Sequence, residues 1–217
     1  MAEAVTVLAA LIGAVIGSLG AVWLAERHRR SAEEEARRRS LVNRHLFQLQ
    51  EAADTLWHRL ANVRHRGGRY VMTDEYFSQS TLYALGRVLA VERILGLEGV
   101  YPELAALDPN LSRFLKDHVI DSRLDGTKFY KYDRLTLAET LIEGEEDRFR
   151  ASTYVEFRRR YDDPSLGVRT WLAPALESLV RLDDDVIDAL LTDLAAIAER
   201  LEAETQLQSS IRASTGP

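Results

Sequence analysis

Arg113 and His118 stand five positions apart in "RFLKDH". A guanidinium and an imidazole brought together can act on a phosphodiester. The first neutralises phosphate charge and the second moves a proton near neutral pH. The remaining candidate constellations are weaker. "DSRLDG", Asp121 to Gly126, begins like a calcium-binding loop. Its third position is Arg123, and Tyr132 occupies the twelfth, where a bidentate glutamate is required, so the stretch reads as a turn. Glu143, Glu145, Glu146 and Asp147 form an acidic run that reads as solvated carboxylates. Asp183, Asp184 and Asp185 suit the start of a helix, where carboxylates complement the macrodipole. There is no phosphate loop, dinucleotide fingerprint, zincin motif or nucleophile elbow. The sequence therefore points to no cofactor and no metal.

The Arg-x4-His spacing resembles that of HEPN ribonucleases, which are also all-helical. The resemblance implies metal-independent RNA cleavage with Arg113 and His118 as the catalytic pair. It rests on six residues of a chain holding 25 Arg and 5 His, and Arg39–His45 and Arg59–His65 come within one residue of the same spacing. On a helix, His118 serves equally as a half-buried side chain bonded locally. A tethered ribonuclease is thus the alternative to the reading built below.

The elements that would position any such group begin with an apolar stretch. Val5 to Ala25 is 21 residues without an ionisable side chain, bracketed by Glu3 and Glu26. At about 1.5 Å per residue such a helix matches a bilayer core of roughly 30 Å. A signal peptide is disfavoured by the acidic "MAEA" start and by Trp23 at the −3 position of the best cut. The expectation is a single transmembrane helix. Arg27, Arg29, Arg30, Arg37, Arg38, Arg39 and Arg44 follow it, whereas only the α-amino group precedes it. Positive flanks stay in the cytoplasm, so the N-terminus is expected outside and the remainder inside. Arg27, Arg29 and Arg30 are the expected contacts with anionic headgroups. Ala9, Gly13, Gly17, Ala21 and Ala25 recur every four residues, a small-residue face suited to close helix packing and homo-oligomerisation.

A charged helical stalk follows. Glu26, Glu33, Glu34 and Glu35 each precede an Arg by four residues, the favourable order for helix ion pairs. Val42, Leu46, Leu49, Ala53, Leu56, Leu60 and Val63 then keep a heptad spacing. The seam fits a coiled coil between chains or a helix packed on its own domain; Phe47 and Trp57, off the seam, favour the second. Gly67 and Gly68 break the helix.

Beyond them the chain reads as roughly seven helices with no period-2 strand. Expected starts are Thr73, with a Met72–Phe77 staple; Asp108 before Pro109; the Thr153–Glu156 capping box; Thr170; and the Asp183 run. Gly96 and Gly99 are expected to close the first of these helices, and Gly144 to end the segment from Thr127. The last helix is apolar at Ile187, Leu190, Leu194, Ile197 and Leu201. Expected boundaries are a short outer N-terminus at 1–4, the span at 5–25, the basic stalk at 26–69, an all-α cytoplasmic bundle at 70–204 and a flexible tail at 205–217. Residues 26–69 carry net charge +5 and residues 70–217 carry −10. A basic collar and an acidic body suit a domain held off an anionic surface and argue against nucleic acid as a partner. "KFYKYDR" and "YVEFRRRY" offer Tyr and Arg for a recognition face or for packing. The expected function is a membrane-anchored binding or scaffolding domain, with the bilayer, a second copy and an unidentified protein as partners.

Overall fold

In the computed structural model, residues 2–65, 74–145, 148–205 and 209–211 are described, with side chains from residue 23 onward except that of residue 145. The chain is mostly helical. Helix α1 runs Ala2–His65, α2 Glu75–Leu97, α3 Val100–Leu107, α4 Pro109–Asp117, α5 Ile120–Arg123 and α6 Lys131–Thr140. Strands β1 (Ile142–Glu145) and β2 (Arg148–Ala151) follow, then α7 Tyr154–Asp162, a 3₁₀ turn at Pro164–Leu166, α8 Val168–Val180 and α9 Asp184–Thr205. The chain divides into two units, residues 1–41 and 42–217.

The described side chains of the first unit belong to one helical segment. Residues 23–40 are exposed apart from Glu26, which is half-buried. Its charges pair with their own helical neighbours: Arg30 with Glu26 at 2.9 Å, Arg39 with Glu35 at 2.6 Å, and Arg29 with Glu26 at 2.9 Å. Glu33 turns back to Arg29 at 3.7 Å. Such exposed pairs each add only tenths of a kcal/mol. Among the described residues no helix is long and apolar enough to cross a membrane. Most of the apolar span expected at Val5–Ala25, including Ala9, Gly13, Gly17 and Ala21, lies outside the described side chains. Ala25 is exposed.

In the second unit the heptad positions are spent inside the chain. Val42, Leu46, Leu49, Ala53, Leu56, Leu60 and Val63 are all buried. Polar side chains then fix this part of α1 to its surroundings: Glu51 with Arg87 of α2 at 2.7 Å, Arg64 with Asp188 of α9 at 2.8 Å. Asp54 accepts from Ser209 at 2.8 Å, and Ser209 and Ile211 are buried.

Local signals set most of the helix starts. Asp108 accepts from the Asn110 and Leu111 amides, with Pro109 at the first helical position. Thr153 and Glu156 form the reciprocal capping box of α7. The apolar stripe of α9 is buried at Ile187, Leu190, Leu194, Ile197 and Leu201. Two starts differ from expectation. Asp74, not Thr73, caps α2 by accepting from the Phe77 amide at 2.7 Å; Thr73 and Met72 lie outside the described residues. Helix α8 begins at Val168, because Gly167 in the left-handed region (φ 66°) launches it before Thr170. Gly96 lies inside α2, and Gly99 (φ 64°) makes the turn into α3.

The larger correction is a β-hairpin where only helices were expected. β1 and β2 pair antiparallel, with Glu143 opposite Arg150. Arg150 binds both Glu143 and Glu156, at 2.5 and 2.7 Å. The Phe149 amide donates to Glu98 Oε1 at 2.6 Å, tying the hairpin to the end of α2. A Cβ on Gly144 would lie 2.0 Å from the Arg148 carbonyl, so this close approach demands glycine.

Candidate binding pocket

The site grows from a mismatch between α2 and α6. At Gly86 the helices touch: a Cβ there would come within 2.4 Å of Leu141 and 2.8 Å of Leu137. Ten residues further along α2, a Cβ on Gly96 would meet nothing within 4 Å. Between these points lies a half-open cavity of about 370 Å³. Its walls are Leu89, Leu97, Val119, Leu135 and Ala138, with Glu92, Arg93, Asp121, Lys131 and Arg134 as its polar groups. Cavities of roughly 300–1,000 Å³ with apolar walls and few polar groups are the common form of small-molecule sites.

Arg134 holds one wall. It is buried, yet charged, so it must be compensated. Nε donates to Asp121 at 2.7 Å and Nη2 to Asp125 at 2.5 Å. Nη1 donates to the carbonyls of Leu124 and Phe129 at 3.1 and 2.8 Å. The "DSRLDG" turn is therefore an arginine clamp, and Phe129, fully buried, anchors the chain leading into α6. Beyond that anchor Tyr130 and Tyr132 are 69% and 79% exposed, with Lys131 between them at the mouth.

Glu92 forms the opposite wall. Its two carboxyl oxygens accept from the Ile120 and Asp121 amides at 2.7 and 3.2 Å, which orients the short helix α5. Burial pushes its pKa up from 4.5 to about 8, against the pull of those two backbone donors. Nearby, burial and then Glu92 raise the Tyr101 phenol above its ordinary value. Perturbed carboxyls in clefts cluster at functional sites. Arg93, at the rim, is held by Glu139 at 2.6 Å.

Comparison with known proteins finds no family model, no curated protein and no solved structure that matches this chain.

Arg113 and His118 are not brought together. Five residues on a helix turn through about 140°; Arg113 is exposed, whereas His118 caps the end of α4. The His118 ring stacks on Phe114 at 4.1 Å and its Nδ1 lies 2.9 Å from the Phe114 carbonyl. Neither residue lines the α2–α6 cavity. Among the described residues no cluster of His, Cys, Asp and Glu could hold a metal ion. Glu143 is paired with Arg150 and Arg160; Glu146 and Asp147 lie outside the described residues. Arg27 stacks over Trp23, its guanidinium carbon 5.5 Å from the ring centre, while Arg29 and Arg30 share Glu26.

Glu92 was not singled out by sequence; Gly96 was expected only to close a helix, and Lys131 and Arg134 only as part of the "KFYKYDR" stretch. One signal was readable: Glu92 interrupts the apolar run "VLAVERILGL" on the face that carries Leu89 and Leu95. A carboxylate on an apolar face is either an error of register or a buried group with a partner.

Proposed function

We propose that this chain is a single-pass membrane protein with its N-terminus out. Its residues from 42 onward form a cytoplasmic binding module, and the α2–α6 pocket is the binding site. The pocket is the observation that carries the binding half of the reading: it combines apolar walls, a charged rim and a buried carboxyl of raised pKa. The anchoring half is supported by the 21-residue uncharged stretch and by the seven arginines that follow it. Trp23, 61% exposed, stands beside those arginines, an aromatic of the kind found at a membrane interface. The five small residues from Ala9 to Ala25 support self-association through the span.

Alkaline carbonate washing of membranes from cells expressing the full chain tests the anchor. The chain is expected to stay with the pellet, and a variant lacking residues 5–25 to move to the supernatant. Full-length chain released by carbonate sinks the anchoring half.

A further inference from the structure

We propose that the α2–α6 pocket binds a small amphipathic anion, with its single oxyanionic head at Lys131 and its apolar body along Leu89, Leu97, Val119 and Leu135. The inference deepens the binding half of the proposed function and rests on it.

Three observations point to this ligand. The first is Gly96. A glycine inside a helix is unfavourable relative to alanine, and packing does not require it here, since a Cβ would meet open space. Its bareness widens the cavity floor. Gly86, by contrast, is forced by Leu137 and Leu141. The second is the state of the polar lining. Arg134 is consumed by Asp121, Asp125 and two carbonyls, and Arg93 by Glu139. Glu92 is consumed by two backbone amides. Lys131 lines the cavity with no ion-pair partner among the described residues, so its ammonium is the group left to meet a ligand. The third is the balance of charge. Glu139 neutralises Arg93, and Asp121 and Asp125 neutralise Arg134, so with the Glu92 proton retained to about pH 8 the Lys131 ammonium is the cation of the lining without a bound counter-charge among the described residues. Exposed Leu97 and the rings of Tyr130 and Tyr132 extend the apolar surface outward from the mouth. A head with charge of the opposite sign, a cation, would meet Lys131 unscreened.

The test uses the full chain in phosphatidylcholine nanodiscs and equilibrium dialysis against octanoate, octanol and octylammonium, with empty discs as the blank. Octanoate is expected to bind about tenfold or more tightly than octylammonium, the factor a charge-assisted contact supplies. Lys131→Glu, at an exposed position that leaves the fold intact, is expected to weaken octanoate by a similar factor without weakening octylammonium. Gly96→Leu is expected to abolish octanoate binding by filling the cavity, at an unchanged or raised unfolding temperature. A lipid headgroup and a soluble carboxylate share this chemistry. Discs containing phosphatidylglycerol separate them: octanoate displaced there assigns the site to a lipid, and octanoate unaffected assigns it to a soluble anion. Octylammonium or octanol binding as tightly as octanoate, octanoate binding unchanged in Lys131→Glu, or no binding at all overturns the proposal. A chain that resists carbonate yet binds no octanoate fails this proposal alone; a chain that binds octanoate yet washes off fails the anchor alone.

Discussion

Two stretches of α1 obey the same helical geometry and have opposite energetics. Between Trp23 and Ser40 every side chain but that of Glu26 is exposed, and charges pair within about one turn. Between Val42 and His65 the seam is buried, and charges pair with residues as distant in sequence as Asp188. The difference lies in what the helix faces. A helix without an apolar stripe draws on propensity and on ion pairs worth a few tenths of a kcal/mol. One with a stripe draws on buried area, at roughly 25 cal/mol per Å². Substitutions in the first stretch should therefore be tolerated, and matched substitutions in the second should not.

The largest expected contrast is Leu56→Asp against Ala36→Asp. Leu56 is fully buried, and replacing it removes core contacts and inserts a carboxylate. The loss is expected to exceed about 4 kcal/mol, whereas Ala36→Asp, at an exposed position, costs no more than about 0.7 kcal/mol. Chemical denaturation of the full chain, followed by tryptophan fluorescence, to which half-buried Trp57 contributes, checks both. Equal midpoints would mean that the seam is not core and that it pairs between chains.

Next comes Arg134→Leu against Arg39→Leu. Asp121 and Asp125 are solvent-accessible and rehydrate, so the cost comes from the buried Leu124 and Phe129 carbonyls left without their donor, about 2–4 kcal/mol. Loss of the exposed Arg39–Glu35 pair costs at most about 0.5 kcal/mol. A small effect at Arg134 would place the two ion pairs in the same class and erase the contrast.

A smaller contrast is one of pH. In the folded state Glu92 keeps its proton to about pH 8, while the unfolded chain releases it near 4.5. The folded state binds more protons across that window, so the stability from this group is fully present below pH 4.5. It is lost as pH rises towards 8, with a slope of at most about 1.4 kcal/mol per pH unit. The groups facing Glu92 are the Ile120 and Asp121 amides, the Asp121 carboxylate and Tyr101; Arg93, Lys131 and Arg134 share the cavity. Glu92→Gln is expected to flatten the slope between pH 5 and 8 in a denaturation series. An unchanged slope would assign it to other carboxyls.

What the sequence made readable was whatever depends on near neighbours. The heptad seam, the α9 stripe, the Asp108–Pro109 start and the Thr153–Glu156 box follow from periodicity or from residues three apart. The hairpin was not readable. "IEGE" and "RFRA" are four residues each and half charged, so the polar–apolar alternation of Arg148 to Ala151 is too short to stand out as a strand. They are held by Glu98, some fifty residues away, and by the Arg150 ion pairs. The pocket was hidden for the same reason. Gly86 and Gly96 look alike in sequence; only the position of α6 makes one a contact and the other a floor. Arg134 reads as a surface charge until the loop carrying Asp121 and Asp125 folds over it.

The most direct measurement is the location of the C-terminus in intact cells. With a reporter active only in the cytoplasm fused after Pro217, and its counterpart active only outside the membrane fused at the same point, the cytoplasmic reporter alone is expected to be active. The expected pattern should reverse when Arg27, Arg29, Arg30, Arg37, Arg38 and Arg39 are replaced by Gln and three Arg are added before Val5. Activity of the outer reporter on the unaltered chain would contradict an N-out anchor carrying a cytoplasmic binding module.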